Sequence, residues 1–127
     1  MQKVTQLYVT LRNRPGTLAQ VSSLLYQAGI NVQAIMATGS GPKMIVDNTH
    51  KAKSILEQNK IPFTTEEVLA FDLTNQLGEI ARISKRIADA GINIDYIYGT
   101  ANPDHPKGYF IIEVSDVDKV LSLDWKG

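Results

Sequence analysis

The run Leu11-Arg12-Asn13-Arg14-Pro15-Gly16-Thr17-Leu18, then a helical stretch, then Gly29-Ile30-Asn31-Val32, occurs twice in this chain. The second copy is Leu73-Thr74-Asn75-Gln76-Leu77-Gly78-Glu79-Ile80, with Gly91-Ile92-Asn93-Ile94 after its helix. Gly78 follows Gly16 by 62 residues, and Gly91 and Asn93 follow Gly29 and Asn31 by the same interval. A period of that length marks a duplicated supersecondary unit. Each copy has roughly 60 residues, too few to bury more than a marginal core alone. The halves are therefore expected to pack on each other or on another chain.

Taken in order, Val4 to Leu11 alternates as a strand, with Leu7, Val9 and Leu11 on one face. Asn13-Arg14-Pro15-Gly16 breaks it with a tight turn. Leu18, Val21, Leu25 and Ala28 recur at helical spacing, and Gly29 sits where a helix end favours a left-handed residue. Ile30 to Ala37 reads as a strand, Gly39-Ser40-Gly41-Pro42 as a turn, and Lys43 to Asp47 as a short strand. Asn48 or Thr49 can cap a second helix carrying Ala52, Ile55 and Leu56. Ile61 to Thr65 is expected as a short edge strand, because Pro62 cannot donate to a ladder.

The second copy repeats the plan. Val68 to Leu73 is apolar on both faces and so expected to be central, and Ile80, Ile83, Ile87 and Ala90 form the helical stripe. Ile92 to Thr100 and Gly108 to Val114 read as strands joined by a long hairpin loop over Ala101 to Lys107. Ser115 is expected to cap a last helix, with Asp118 completing a capping box. After Val117, Val120 and Leu121 only six residues remain, too few to finish a helix and add a strand. The fold class is thus α+β: two tandem ferredoxin-like units with antiparallel sheets and helices on one face. The expected boundaries are 1–66 (βαββαβ) and 67–127 (βαββα), the second unit being truncated at its C-terminus. Its sheet should lack an edge strand, which a neighbouring segment covers or assembly uses.

The repeated turn has chemical meaning. The first N–H groups of a helix have no intrahelical partner. Together with the positive end of the helix dipole they suit an anion. Glycine lets a ligand approach the backbone closely, and asparagine offers both a donor and an acceptor. Backbone N–H groups with two carboxamides match a zwitterionic amino acid. Each residue alone also has a purely structural reading, as an Asx turn or a helix cap. Both asparagines recur, however, while their neighbours Arg14/Gln76 and Thr17/Glu79 differ.

Asn13-Arg14-Pro15-Gly16, the helix, and Gly29-Ile30-Asn31-Val32 resemble the ACT domain, the small regulatory module of amino-acid-biosynthetic enzymes. The resemblance covers nearly the whole chain as a tandem pair without a catalytic domain. It implies an effector held where two ACT units meet, between the first turn of one and the second strand of the other. Carried to this sequence, the ligand-binding residues are Asn13, Arg14, Pro15, Gly16, Thr17, Leu18 and Asn31 in the first copy. In the second they are Asn75, Gln76, Leu77, Gly78, Glu79, Ile80 and Asn93. Leu77 departs from the proline of the family pattern. Leu11 and Leu73 stand where serine-binding members resemble a histidine, so serine is not expected. The first copy is the expected occupied site.

The implied function is an amino-acid sensor or allosteric regulator without catalysis or cofactor. Its effector is a free L-amino acid, and its partners are a second copy of the chain, as a homodimer or higher oligomer, and an enzyme of amino-acid metabolism. A non-catalytic assembly module is the alternative. RNA binding is a weaker one: Lys107 to Val114 partly matches an RNA-recognition strand, but Phe110, Ile111 and Val114 break its pattern. Lys+Arg equals Asp+Glu at 13 each, against the basic excess of nucleic-acid or membrane-surface binders. With no cysteine there is no disulfide, thiolate catalysis or Cys-based metal site. Gly39-Ser40-Gly41 lacks the lysine of a phosphate loop, His50 and His105 lack ligand spacing, and Ser22 and Ser84 lack an evident base. Tyr96 and Tyr98 share a strand face and read as packing residues. No signal peptide or spanning segment is evident, so a cytoplasmic location is expected.

Overall fold

The computed structural model describes residues 1–74, 76–100 and 104–125. The elements are β1 (Gln2–Val9), α1 (Thr17–Gln27), β2 (Val32–Thr38), β3 (Gly41–Val46) and α2 (Thr49–Gln58), then β4 (Phe63–Thr74), α3 (Glu79–Asp89), β5 (Ile94–Thr100), β6 (Lys107–Val114) and α4 (Val117–Ser122). They form two compact units. One is Thr5–Glu66; the other is Met1–Val4 together with Glu67–Gly127.

In the unit of Thr5–Glu66 the strands lie in the order β2-β3-β1-β4. β3 pairs antiparallel with both β1 and β2. This is the ferredoxin-like order, and its helices close over one face of the sheet. Leu7 and Val9 of β1, Met44 and Val46 of β3, Val21 and Leu25 of α1, and Ala52 and Leu56 of α2 form one buried cluster. The alternation in β1 and the helical spacing in α1 put these side chains on facing surfaces. Asn48 caps α2, its side chain accepting from the N–H of Lys51. Gly41 and Pro42, expected in a turn, open β3 instead. Gly41 has a φ of 128°, and a Cβ there would land on the carbonyl oxygen of Val9.

The other unit repeats the arrangement. Its strand order is β1-β4-β6-β5, with β6 antiparallel to β4 and β5. Leu69, Phe71, Leu73, Ile83, Ile87, Ile112, Val114 and Val120 form its core. The Phe71 and Phe110 rings stack at 5.9 Å between centroids. Two details correct the sequence reading. Ile61 to Thr65 is not a separate edge strand: Pro62 lies just before β4, which runs unbroken from Phe63 to Thr74. The cap of α4 is Asp116, whose side chain accepts from the N–H of Lys119. Ser115 instead accepts the N–H of Asn93 through Oγ, at 3.1 Å.

Among the described residues no strand follows α4, and the place beside β4 in this unit is taken by residues 1–4. Met1 packs against that unit's core. Lys3 reaches Asp118 at 2.8 Å and Glu67 at 3.7 Å. Such exposed pairs contribute little, so the apolar contact and the backbone ladder carry the attachment. Deleting residues 1–4 is expected to cost about 1–3 kcal/mol, from one partly buried side chain and a few ladder bonds. Hydrogen exchange should then rise at Val68 to Asp72 and stay low at Val21 and Leu25.

Candidate functional site

The N-cap of α1 is Gly16 at φ 90°, ψ −11°, and that of α3 is Gly78 at φ 90°, ψ 0°. Neither cap supplies a side-chain hydrogen bond. The duplicated bend is therefore the same left-handed glycine in both units, and it leaves the helix N-terminus open to whatever lies in front of it.

In the unit of Thr5–Glu66 a hollow of about 330 Å³ lies there. Asn13, Arg14, Gly16, Thr17 and Leu18 line it, with Leu11 and Arg12 before the bend. Its far wall is the β2–β3 hairpin: Ala37, Thr38, Gly39, Gly41 and Pro42. The sequence reading missed this wall, because the strand order, not chain proximity, brings the hairpin tip beside the bend. Hydrogen bonds hold the tip in place. Leu11 N–H donates to Ser40 O at 3.1 Å, Tyr8 Oη and Ser40 Oγ lie 2.6 Å apart, and Thr38 Oγ1 donates to Gly41 O at 3.1 Å. Thr17 Oγ1 is occupied within the loop by the carbonyls of Arg12 and Arg14, at 2.9 and 3.1 Å. The exposed Asn13 carboxamide has no hydrogen-bond partner among the described residues. It lies near Gly39, where a Cβ would be 3.5 Å from Nδ2.

Asn31 is elsewhere. It precedes β2, while the hollow is at the opposite end of that strand. Seven residues of strand put those ends roughly 20 Å apart. Its backbone is doubly held, its N–H donating to Asp47 Oδ1 at 3.0 Å and its carbonyl accepting from Asp47 N–H at 3.1 Å. Its side-chain amide is exposed and unpartnered among the described residues. Pro15 is exposed and does not line the hollow.

The second copy's hollow, about 390 Å³, is lined by Gln76, Leu77, Gly78, Glu79 and Ile80 with Leu73, Thr74, Ala81 and Phe110. Asn75 lies outside the described residues. Asn93 does not line this hollow, and its Nδ2 donates to Asp95 Oδ1 at 2.8 Å. The chemistry is different here. Glu79 accepts from Arg82 Nε at 3.2 Å and from Thr74 Oγ1 at 3.1 Å. The Arg82 hydrogen bond, aided by that from Thr74, holds the Glu79 carboxyl below its ordinary 4.5. The first turn of α3 thus already carries a carboxylate, whereas α1 has no acidic residue in its first turn. Leu18 and Ile80, expected in the helical core stripes, are instead 38% and 43% exposed and line the two hollows.

Among the described residues no group of three or more His, Asp or Glu is placed to hold a metal, and no helix is long and apolar enough to cross a membrane.

A family model described as an ACT domain pair matches residues 2–122. Protein BT0572 from Bacteroides thetaiotaomicron is similar in structure, with a TM-score of 0.85 and 26% identity over 94% of this chain and 84% of that one. The ligand-free regulatory subunit of aspartate kinase from Thermus thermophilus gives 0.66 and 19%, over 94% and 86%. E. coli aspartokinase III, in complex with lysine and aspartate, gives 0.63 and 18%, over 94% of this chain and 30% of that one. No curated protein sequence gives a match.

Two substitutions separate backbone from contact. Gly16→Ala meets open space and is expected to cost only about 1–2 kcal/mol, the left-handed penalty. Gly41→Ala meets backbone as well and should cost more in the same denaturation assay. The Glu79 shift also has a sign. Its lowered folded value gives stability present above the unfolded carboxylate's value, lost as pH falls through the folded one. Glu79→Gln should therefore flatten the acid limb of the stability curve.

Proposed function

Because the chain belongs to the family of ACT domain pairs, we propose that it is a non-catalytic sensor whose effector is a free L-amino acid bound at the first copy's bend. An ACT domain pair is a regulatory module, so control of an enzyme of amino-acid metabolism is the reading that follows. One observation carries the choice of site: the hollow before α1 has an open helix N-terminus and a carboxamide, Asn13, with no partner among the described residues. An α-carboxylate suits the N–H groups beyond Gly16, and the Asn13 oxygen suits an α-ammonium. In the second copy the first turn of the helix carries Glu79, and Asp95 takes up the Asn93 amide. The first copy is therefore the occupied site in this reading.

Asn13 and Asn31 of one unit stand at opposite ends of β2, so a single amino acid touches both only if Asn31 comes from another unit. A homodimer or higher oligomer is thus part of the proposal. The competing reading, a module that serves assembly alone, is favoured by the exposure of Tyr26, at 81%, and Ile35, at 44%.

The common L-amino acids, screened by thermal shift, test the proposal. A cognate ligand at 100 times its Kd should add about 2.7 kcal/mol of stability. Asn13→Ala and Asn31→Ala should each weaken it about tenfold, while Asn93→Ala and Lys53→Ala leave it unchanged. If no amino acid shifts the melt, the sensor reading fails and the assembly reading stands.

A further inference from the structure

On the other side of the same loop, still within Thr5–Glu66, lies a second hollow of about 420 Å³. Arg12, Arg14, Thr17, Gln20 and Lys60 line it, and no carboxylate does. Arg12, Arg14 and Lys60 form no ion pair and no side-chain hydrogen bond among the described residues. Lys51, Lys53 and Lys119 also lack an ion pair among the described residues; what sets Arg12, Arg14 and Lys60 apart is that they line one hollow. Three like charges around one concavity repel each other unless an anion sits among them.

Two further observations point the same way. Lys60 has a φ of 55° and is the single non-glycine residue with positive φ among the described residues. It follows the C-cap of α2, and the same place after α1 and α3 is held by Gly29 and Gly91. A lysine there carries a backbone penalty that glycine or asparagine would avoid. The duplication supplies the second. At the 62-residue offset Arg12 and Arg14 become Thr74 and Gln76, and Thr17 becomes Glu79. The copies keep the same bend at Gly16 and Gly78 but differ in charge around it: cations line the first copy's hollows at the bend and not the second's, where Arg82 is paired with Glu79.

We infer that the hollow between Arg12, Arg14 and Lys60 is a binding site for a small multivalent oxyanion, on the other side of the loop from the proposed amino-acid hollow, with which it shares Arg12, Arg14 and Thr17. The guanidinium groups offer planar forks of N–H donors and Lys60 a point charge, the combination that suits phosphate or carboxylate oxygens. Thr17 and Gln20 add polar groups at the wall. The inference does not depend on an amino acid filling the first hollow.

Calorimetric titration of the full chain with inorganic pyrophosphate and, separately, succinate tests it in phosphate-free buffer at low salt. Binding of either probe is expected to weaken as salt rises, and the stronger probe tells a phosphoryl source from a dicarboxylate. Lys60→Asn removes the charge but tolerates the left-handed backbone. It should weaken binding about tenfold while melting no lower than the parent. Arg12→Gln should weaken binding similarly, and Arg82→Gln, on the other unit, should not. The site is overturned if neither probe binds more tightly than about 1 mM, or if binding survives both Lys60→Asn and Arg12→Gln.

Discussion

A left-handed glycine at the start of a helix constrains everything built around it. Gly16 and Gly78 adopt the same φ of 90°, which turns the chain from strand to helix and leaves no side chain to cap the helix. An uncapped N-terminus is stabilised by whatever oxygen comes next. In one copy the first turn carries a carboxylate of its own, Glu79, held by Thr74 and Arg82. In the other the first turn of α1 has no acid. Duplication kept the bend and changed the charge beside it.

The contrast between copies is mainly one of charge and bulk. Around Gly78 the hollow carries Phe110, Leu77 and Ile80 beside the Glu79 carboxylate. Around Gly16 it carries two arginines, Asn13 and the hydroxyl-pinned hairpin tip. Arg12 and Arg14 line both hollows of the first unit, so under the two proposals a ligand in one would act on the field felt in the other, through shared side chains and with no moving element.

The duplication made much of this legible in the chain. Its constant spacing fixed the two ferredoxin-like units, the helix stripes through Val21 and Leu25 or Ile83 and Ile87, and the bends themselves. What stayed hidden was non-local. The hairpin tip at Thr38 and Gly39 meets the bend through strand order, and nothing nearby in sequence announces it. Asn13 and Asn31 looked like one constellation because they recur together, yet β2 separates them. Leu18 and Ile80 fit the helical period but belong to a first turn that overhangs the hollow. Pro62 suggested a break that β4 does not make, since the proline falls one residue ahead of the strand.

The grouping of Met1–Val4 with Glu67–Gly127 has a consequence in time. A ribosome delivers this short strand long before the residues it packs against. Until residue 67 and beyond have emerged, Met1 has no core to enter, although the unit of Thr5–Glu66 already holds all its own residues. Contacts that close across so long a stretch form slowly. The unit of Thr5–Glu66 is therefore able to ripen during synthesis, while its sibling waits for Glu67 and the residues after it to meet Met1–Val4.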